Sequence, residues 1–141
     1  MRTLIGFVRR WRVVLAVLPL MVVACATVVP LKTTSPEPFL GNWIGSWRSQ
    51  TNPARYGEVE VEITRDVENQ PHGLRLTAKL TNVAASWFAA TGVLTDGQLA
   101  FIGPGETTLQ FVLYGEDRLE ATYYYPKFSD SGTWSLKRPP R

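Results

Sequence analysis

Residues 57–64, "GEVEVEIT", decide the fold class because apolar and acidic side chains alternate along them without interruption. The apolar set is Val59, Val61 and Ile63, and the acidic set is Glu58, Glu60 and Glu62. A period of two is the pattern of a β-strand with one buried and one solvated face. Solvation of the second face accounts for the glutamates, so they are not interpreted as an acidic site.

Short alternating segments lie on both sides of this strand, with turn signals between them. In residues 74–80 the inward set is Leu74, Leu76, Ala78 and Leu80, and the outward cations are Arg75 and Lys79. The other segments are 39–49 "FLGNWIGSWRS", 87–94 "WFAATGVL", 98–103 "QLAFIG", 107–114 "TTLQFVLY", 118–125 "RLEATYYY" and 132–138 "GTWSLKR". Asp96-Gly97 between two of them is a strong hairpin signal. The sequence therefore predicts an all-β domain of eight strands.

Short connections favour an arrangement in which strands that are adjacent in sequence are also adjacent in space. An antiparallel up-and-down β-barrel closes eight such strands without open edges, and a two-layer sandwich is the alternative. A barrel predicts that residues 132–137 pair antiparallel with residues 41–48. Trp134 would then lie within contact range of Trp43 or Trp47.

The tryptophans of the two terminal strands alternate with glycines. Trp43 and Trp47 are an even number of residues from Gly41 and Gly45, so all four lie on the same face of the predicted strand. Trp134 lies on the same face as Gly132 for the same reason. In a closed barrel these glycines are expected to make room for the tryptophans on the facing strand.

The tripeptide "GNW", residues 41–43, resembles the Gly-x-Trp that opens calycin-type barrels, the relatives of lipocalins and avidin. The resemblance implies that Trp43 plugs one end of the barrel. It also implies that a basic residue near the end of the chain packs across this tryptophan, and Arg138 is the candidate.

The N-terminal region has the layout of a secretory signal peptide. A basic head carries Arg2, Arg9, Arg10 and Arg12, and an apolar run follows over residues 13–24. That run is too short to span a bilayer as a mature helix. A tether with three prolines follows, over residues 25–38.

The residues "VVAC", 22–25, resemble the bacterial lipobox and contain the single cysteine of the chain. This resemblance implies cleavage before Cys25, lipid on that cysteine, and attachment to a membrane of the cell envelope. Ala26 stands where an inner-membrane retention signal has Asp, which favours the outer membrane, facing the periplasm, in a host with two membranes. The expected organisation is a signal peptide over 1–24, a lipidated cysteine and tether over 25–38, and the barrel over 39–141.

Loss of the signal peptide changes the charge of the chain. The full sequence has 15 basic and 12 acidic residues and a net charge of +3. Four arginines precede Cys25, so the mature chain has eleven basic residues against twelve acidic ones, a net charge of −1. Nucleic-acid binding based on basicity is therefore not expected.

Catalytic and metal-binding patterns are weak. The single histidine, His72, lies in a loop without obvious ligand partners. Asp66, Glu68 and Asp130 could line a barrel mouth, but their spacing does not resemble a calcium loop. We expect no enzymatic activity, no cofactor and no metal.

Aromatic residues are the candidates for ligand binding, with burial in the core as the alternative explanation. The candidates are Trp43, Trp47, Trp87, Tyr123, Tyr125 and Trp134. Two functions remain open at this stage. One is a binding module for a small apolar or amphipathic ligand, and the other is a packed barrel that serves envelope assembly or inhibits an enzyme through its loops.

Overall fold

The computed structural model describes residues 29–68, 73–84 and 86–141, which form one closed antiparallel barrel. Its strands are β1 Gly41–Ser49, β2 Tyr56–Arg65, β3 Gly73–Leu80, β4 Trp87–Thr95, β5 Gln98–Ile102, β6 Thr108–Tyr114, β7 Arg118–Tyr125 and β8 Asp130–Lys137. Short 3-10 turns occur at Glu37–Phe39, Pro104–Glu106 and Pro126–Phe128. Each strand pairs with its neighbours in sequence, which confirms the predicted all-β, up-and-down architecture.

Closure is made by β1 and β8, which pair antiparallel from Ile44 opposite Lys137 to Ser49 opposite Gly132. Within this register Trp47 lies opposite Trp134. The sandwich alternative is therefore wrong, because both terminal strands have partners on each side. Within the described residues, each of the eight strands therefore has a hydrogen-bonded neighbour on both sides.

The glycines of β1 and β8 do not lie opposite tryptophans, and that expectation is wrong. Gly45 faces Leu136, where an added Cβ would lie 1.9 Å from the carbonyl oxygen of Ser135. The glycine that does accommodate Trp47 is Gly57 on β2, directly opposite it in the register. A Cβ there would lie 2.6 Å from the indole nitrogen of Trp47.

The interior contains the inward-facing residues of all eight strands. Its fully buried side chains include Trp43, Ile63, Leu76, Leu99, Phe111, Leu113 and Leu119. Alternate residues along each strand are exposed, as in the burial pattern of β2, where Val59, Val61 and Ile63 are buried between exposed glutamates. The predicted inward and outward faces of this strand are confirmed.

The two ends of the barrel differ. We call the end where the chain enters β1 the closed end, and the end that carries loops 50–55, 81–86, 103–107 and 126–129 the open end. At the closed end the chain already contacts the barrel before Phe39, in the stretch predicted as tether. The amide of Leu31 donates to the carbonyl of Leu113 over 2.8 Å, and Glu37 forms an ion pair with Arg65. Among the described residues, no helix has the length and apolar character needed to cross a bilayer.

Candidate functional site

A cavity of about 390 Å³ opens at the open end of the barrel. Its aromatic lining consists of Trp47, Trp87, Phe88, Tyr123, Tyr125, Phe128 and Trp134. Aliphatic groups and two charged side chains complete the wall: Leu80, Val83, Ala84, Leu109, Arg55 and Asp130, with Pro104 and Thr107 at the rim. A concave, mostly apolar site with a few polar groups is typical of small-molecule binding.

Five of the six predicted ligand-binding residues line this cavity, and Trp43 does not. Trp43 is fully buried at the closed end, where its indole N–H donates to the carbonyl of Phe39 over 2.8 Å. Arg138 covers one face of this indole ring. The guanidinium carbon of Arg138 lies 3.7 Å from the indole centroid, and its nitrogens donate to the carbonyls of Leu40 and Pro38 at 2.7 and 2.8 Å.

The floor of the cavity is a packed aromatic layer. Trp134, on β8, is 2% exposed and meets Phe111 edge-on with ring centroids 5.9 Å apart. Phe88 also contacts Trp134, with a centroid distance of 6.1 Å and tilted rings. Trp47 is anchored beside it, since its indole N–H donates to the carbonyl of Thr81 over 3.0 Å. These aromatic side chains thus form the inner boundary of the open-end cavity.

Exposed aromatic side chains form the rim. Trp87 is the first residue of β4 and is 57% exposed, and Phe128, in the turn before β8, is 63% exposed. Phe128 packs edge-on against Tyr125 with centroids 5.2 Å apart. A Cβ on Gly105 would lie 3.1 Å from the Tyr125 ring, so glycine at this positive φ lets the loop approach closely. The rim therefore presents apolar surface to solvent beside the cavity.

One wall of the cavity contains a buried carboxylate. Asp130 is 5% exposed at the start of β8. One of its oxygens accepts hydrogen bonds from the hydroxyls of Ser49 and Thr51. The other accepts from Tyr123 over 3.2 Å and from Arg55 over 3.3 Å. Each carboxylate oxygen thus has two donors, which satisfies its ordinary capacity.

These partners set the ionisation of the cluster. Burial alone would raise the pKa of Asp130, but the hydrogen bonds from Ser49, Thr51 and Tyr123 and the charge of Arg55 outweigh it and lower that pKa. Burial, followed by the charge of Asp130 and the hydrogen bond to it, raises the pKa of Tyr123 from 10.0 to about 12. The carboxylate is therefore charged and the phenol neutral at physiological pH.

Thr51 and Arg55 are the exposed members of this cluster, and of these two Arg55 lines the cavity. Its side chain is 41% exposed, and its guanidinium carbon lies 6.0 Å from the centroid of Trp47. A guanidinium has five N–H donors. Among the described residues, one side-chain hydrogen bond of Arg55 is present, the one to Asp130.

The acidic residues are placed differently from the prediction. Asp130 does line the open end, although it belongs to β8 rather than to a loop. Asp66 and Glu68 follow β2 at the opposite end of the barrel, so the three do not share a mouth. Within residues 29–68, 73–84 and 86–141, no group of three or more His, Cys, Asp or Glu side chains could hold a metal ion. His72 and Cys25 lie outside the described residues.

Arg55, Ser49 and Thr51 were not predicted from the sequence as residues of the site. One signal was available for Ser49, which shares parity with Trp47 and so had to be a polar residue facing inward on β1. An inward hydroxyl requires a buried partner. The identity of that partner, 81 positions away, depends on the closure of the barrel.

Comparisons with known proteins support the architecture. A solved structure described as a redesigned β-barrel is similar to this chain with a TM-score of 0.55 and 12% sequence identity. The similarity covers 74% of this chain and 94% of that one. At this identity the likeness shows the barrel fold alone. No protein-family model matches the sequence, and no curated protein matches it.

Proposed function

We propose that this protein is a lipid-anchored envelope protein whose barrel binds a small apolar or amphipathic ligand at its open end. The observation that carries the proposal is the cavity of about 390 Å³ with seven aromatic residues in its wall. Its volume falls at the lower end of the usual range for ligand sites, roughly 300–1,000 Å³. The packed floor at Trp134 limits the ligand to a small one.

The anchoring part of the proposal comes from the lipobox-like residues 22–25 and the signal-peptide layout before them. More than one acyl chain is needed for stable attachment, which lipidation of both the thiol and the amine of Cys25 would provide. Because the chain enters β1 at the closed end, an anchor at Cys25 would leave the open end directed away from the membrane surface. In a host with two membranes, the outer membrane facing the periplasm is the proposed location.

A relationship to calycin-type barrels is also proposed. It is supported by the contact between Arg138 and Trp43, which matches the end plug that the Gly-x-Trp resemblance implies. The contact is a local feature, and the family assignment depends on it together with the strand order.

A second candidate is an interaction protein of the envelope. It is favoured by the exposed rim residues Trp87 and Phe128, since aromatic side chains are enriched at the centres of protein interfaces. A partner would cover the rim without entering the cavity.

Binding of decanol, an uncharged amphipathic probe, tests the first candidate. The full-length protein, as its host produces it, is placed in nanodiscs and titrated calorimetrically against empty nanodiscs. We expect one saturable site. Thr107→Trp, which introduces bulk at the cavity rim, should weaken binding at least tenfold, and Thr108→Trp on the exposed face of β6 should change it less than twofold. Absence of saturable binding, or equal binding by the two variants, would favour the interaction protein.

A further inference from the structure

We infer that the open-end cavity selects amphiphiles with a carboxylate head group, which Arg55 binds while the apolar tail lies among the aromatic side chains. This inference depends on the proposed ligand-binding function and specifies the chemistry of the ligand. It follows from the unequal accessibility of the two charged groups in the cavity wall.

Asp130 does not serve as the recognition group. Its side chain is 7% exposed, and its two oxygens accept from Ser49, Thr51, Tyr123 and Arg55. A cationic head group would have to reach a carboxylate whose side chain is 7% exposed and displace one of its four donors, although each oxygen already has two. The accessible charge of the wall is therefore the positive charge of Arg55, which disfavours ligands with a cationic head group.

Arg55, in contrast to Asp130, is accessible to a ligand. Its side chain is 41% exposed and lines the cavity, and among the described residues its guanidinium makes one side-chain hydrogen bond, of 3.3 Å, to Asp130. The other N–H groups of a guanidinium are suited to bidentate binding of a planar carboxylate. Trp47 lies beside the guanidinium, which places an apolar surface directly next to the head-group position.

The charge of the wall limits the head group to a single negative charge. Among the described residues, the charged side chains of the cavity lining are Arg55 and Asp130, one positive and one negative. A dianionic phosphate would bring two negative charges to one arginine close to Asp130, whereas a carboxylate adds one. A carboxylate is also planar and matches the geometry of the guanidinium fork.

The size of the cavity limits the tail. A water molecule occupies roughly 30 Å³ in the liquid, so about 390 Å³ corresponds to roughly a dozen groups of that size. A medium-chain carboxylate with about ten carbons fits this estimate. A long chain would extend past the rim into solvent.

Three probes with the same tail and different heads test the inference: decanoate, decanol and decyltrimethylammonium. The full-length protein in nanodiscs is titrated with each, with empty nanodiscs subtracted. We expect decanoate to bind at least tenfold tighter than decanol, and decyltrimethylammonium to bind more weakly than either. Arg55→Gln should reduce the preference for decanoate to less than twofold and leave decanol binding unchanged. Arg55→Lys should retain part of the preference.

Arg118→Gln is the matched control, because Arg118 is also an exposed arginine beside an aromatic ring but lies at the closed end. It should leave all three affinities unchanged. Circular dichroism checks that the Arg55 variants are folded. Decanol binding without a preference for decanoate, or a preference that survives Arg55→Gln, overturns the inference and leaves the proposed function intact. If none of the probes binds, the proposed function fails as well.

Discussion

Arg138 lies over the indole ring of Trp43, with the guanidinium carbon 3.7 Å from the ring centroid. The two residues are 95 positions apart and together close one end of the barrel. Arg138 also donates to the carbonyls of Pro38 and Leu40, so it links the entry of the chain to its exit. Burial lowers the pKa of Arg138 from its ordinary value. The contact combines packing, a cation–π interaction and two hydrogen bonds.

Removal of this contact should destabilise the barrel. We expect Arg138→Ala to lower the free energy of unfolding by about 2–4 kcal/mol, because two carbonyls lose their donor and the cation–π interaction is lost. Arg118→Ala is the control, since Arg118 lies over Tyr114 at 5.1 Å but is exposed. Its loss should be at most about 1 kcal/mol. Urea denaturation measures both, and equal losses would contradict the assigned role of Arg138.

Closure of the barrel depends on the absence of a side chain at Gly45. We expect Gly45→Ala to cost about 3 kcal/mol, because the new Cβ would lie 1.9 Å from the carbonyl oxygen of Ser135 on β8. Ser46→Ala, at the neighbouring position, should change stability by less than about 0.5 kcal/mol. Thermal unfolding compares the two. If Gly45→Ala melts at the same temperature as the unmodified protein, β1 and β8 are not paired as described.

The buried face of β2 can be tested with a charge. Val61 is 3% exposed, and we expect Val61→Asp to cost several kcal/mol because an unpaired carboxylate would enter apolar surroundings. Glu62→Asp, on the exposed face of the same strand, is the control and should have little effect. A folded Val61→Asp variant with an unchanged melting temperature would refute the assignment of the faces.

High pH should destabilise the protein through Tyr123. Its pKa is raised from 10.0 to about 12 in the folded state, so the neutral phenol is stabilised by folding. This contribution is complete below pH 10 and is lost as the pH rises from 10 to 12. Tyr123→Phe should be less stable near neutral pH, because one donor to Asp130 is removed, and should lose less stability over this interval. Urea denaturation at a series of pH values measures the change.

Tyr124→Phe, on the exposed side of β7, is the control for Tyr123 and should show the same pH dependence as the unmodified protein. Absorbance titration of the phenols gives an independent reading. A pH dependence of stability that is unaltered in Tyr123→Phe would show that the phenol is not held by Asp130.

Lipidation at Cys25 is tested in the native host. We expect labelling with a radioactive fatty acid and a mature N-terminus at Cys25, and we expect Cys25→Ala to abolish labelling and membrane association. Ser35→Ala, in the described segment before the barrel, is the control and should be labelled normally. Labelling that persists in Cys25→Ala would refute the anchor.

Several features of the fold could be predicted from local sequence. The alternation in residues 57–64 determined which face of β2 is buried, since successive side chains of a strand point to opposite sides. Short turns determined that strands adjacent in sequence are also adjacent in the sheet. The barrel itself followed from the need to satisfy both edges, and the pairing of Trp47 opposite Trp134 confirms it.

The candidate site was predicted only in part, because it combines residues from distant segments. The alternation in residues 118–125 places Tyr123 and Tyr125 on the same face as Leu119 and Ala121, and both tyrosines line the cavity. Parity could not show that Trp43 and Trp47 lie at different ends of the barrel, since both occupy inward positions on one strand. That separation depends on how far along β1 each tryptophan lies and on which residues cover each end of the barrel.

The sequence by itself determined the strands, their faces and their order, because these depend on side-chain periodicity and turn chemistry within about ten residues. Tertiary structure alone decided where ligand-sized space remains and which charge faces it. Ser49, Thr51 and Arg55 meet Asp130 only because β1 and β8 close the barrel, and the register of that closure sets which side chains become neighbours. Alternation specifies that a residue points inward, but the shear of the closed sheet specifies what it meets there.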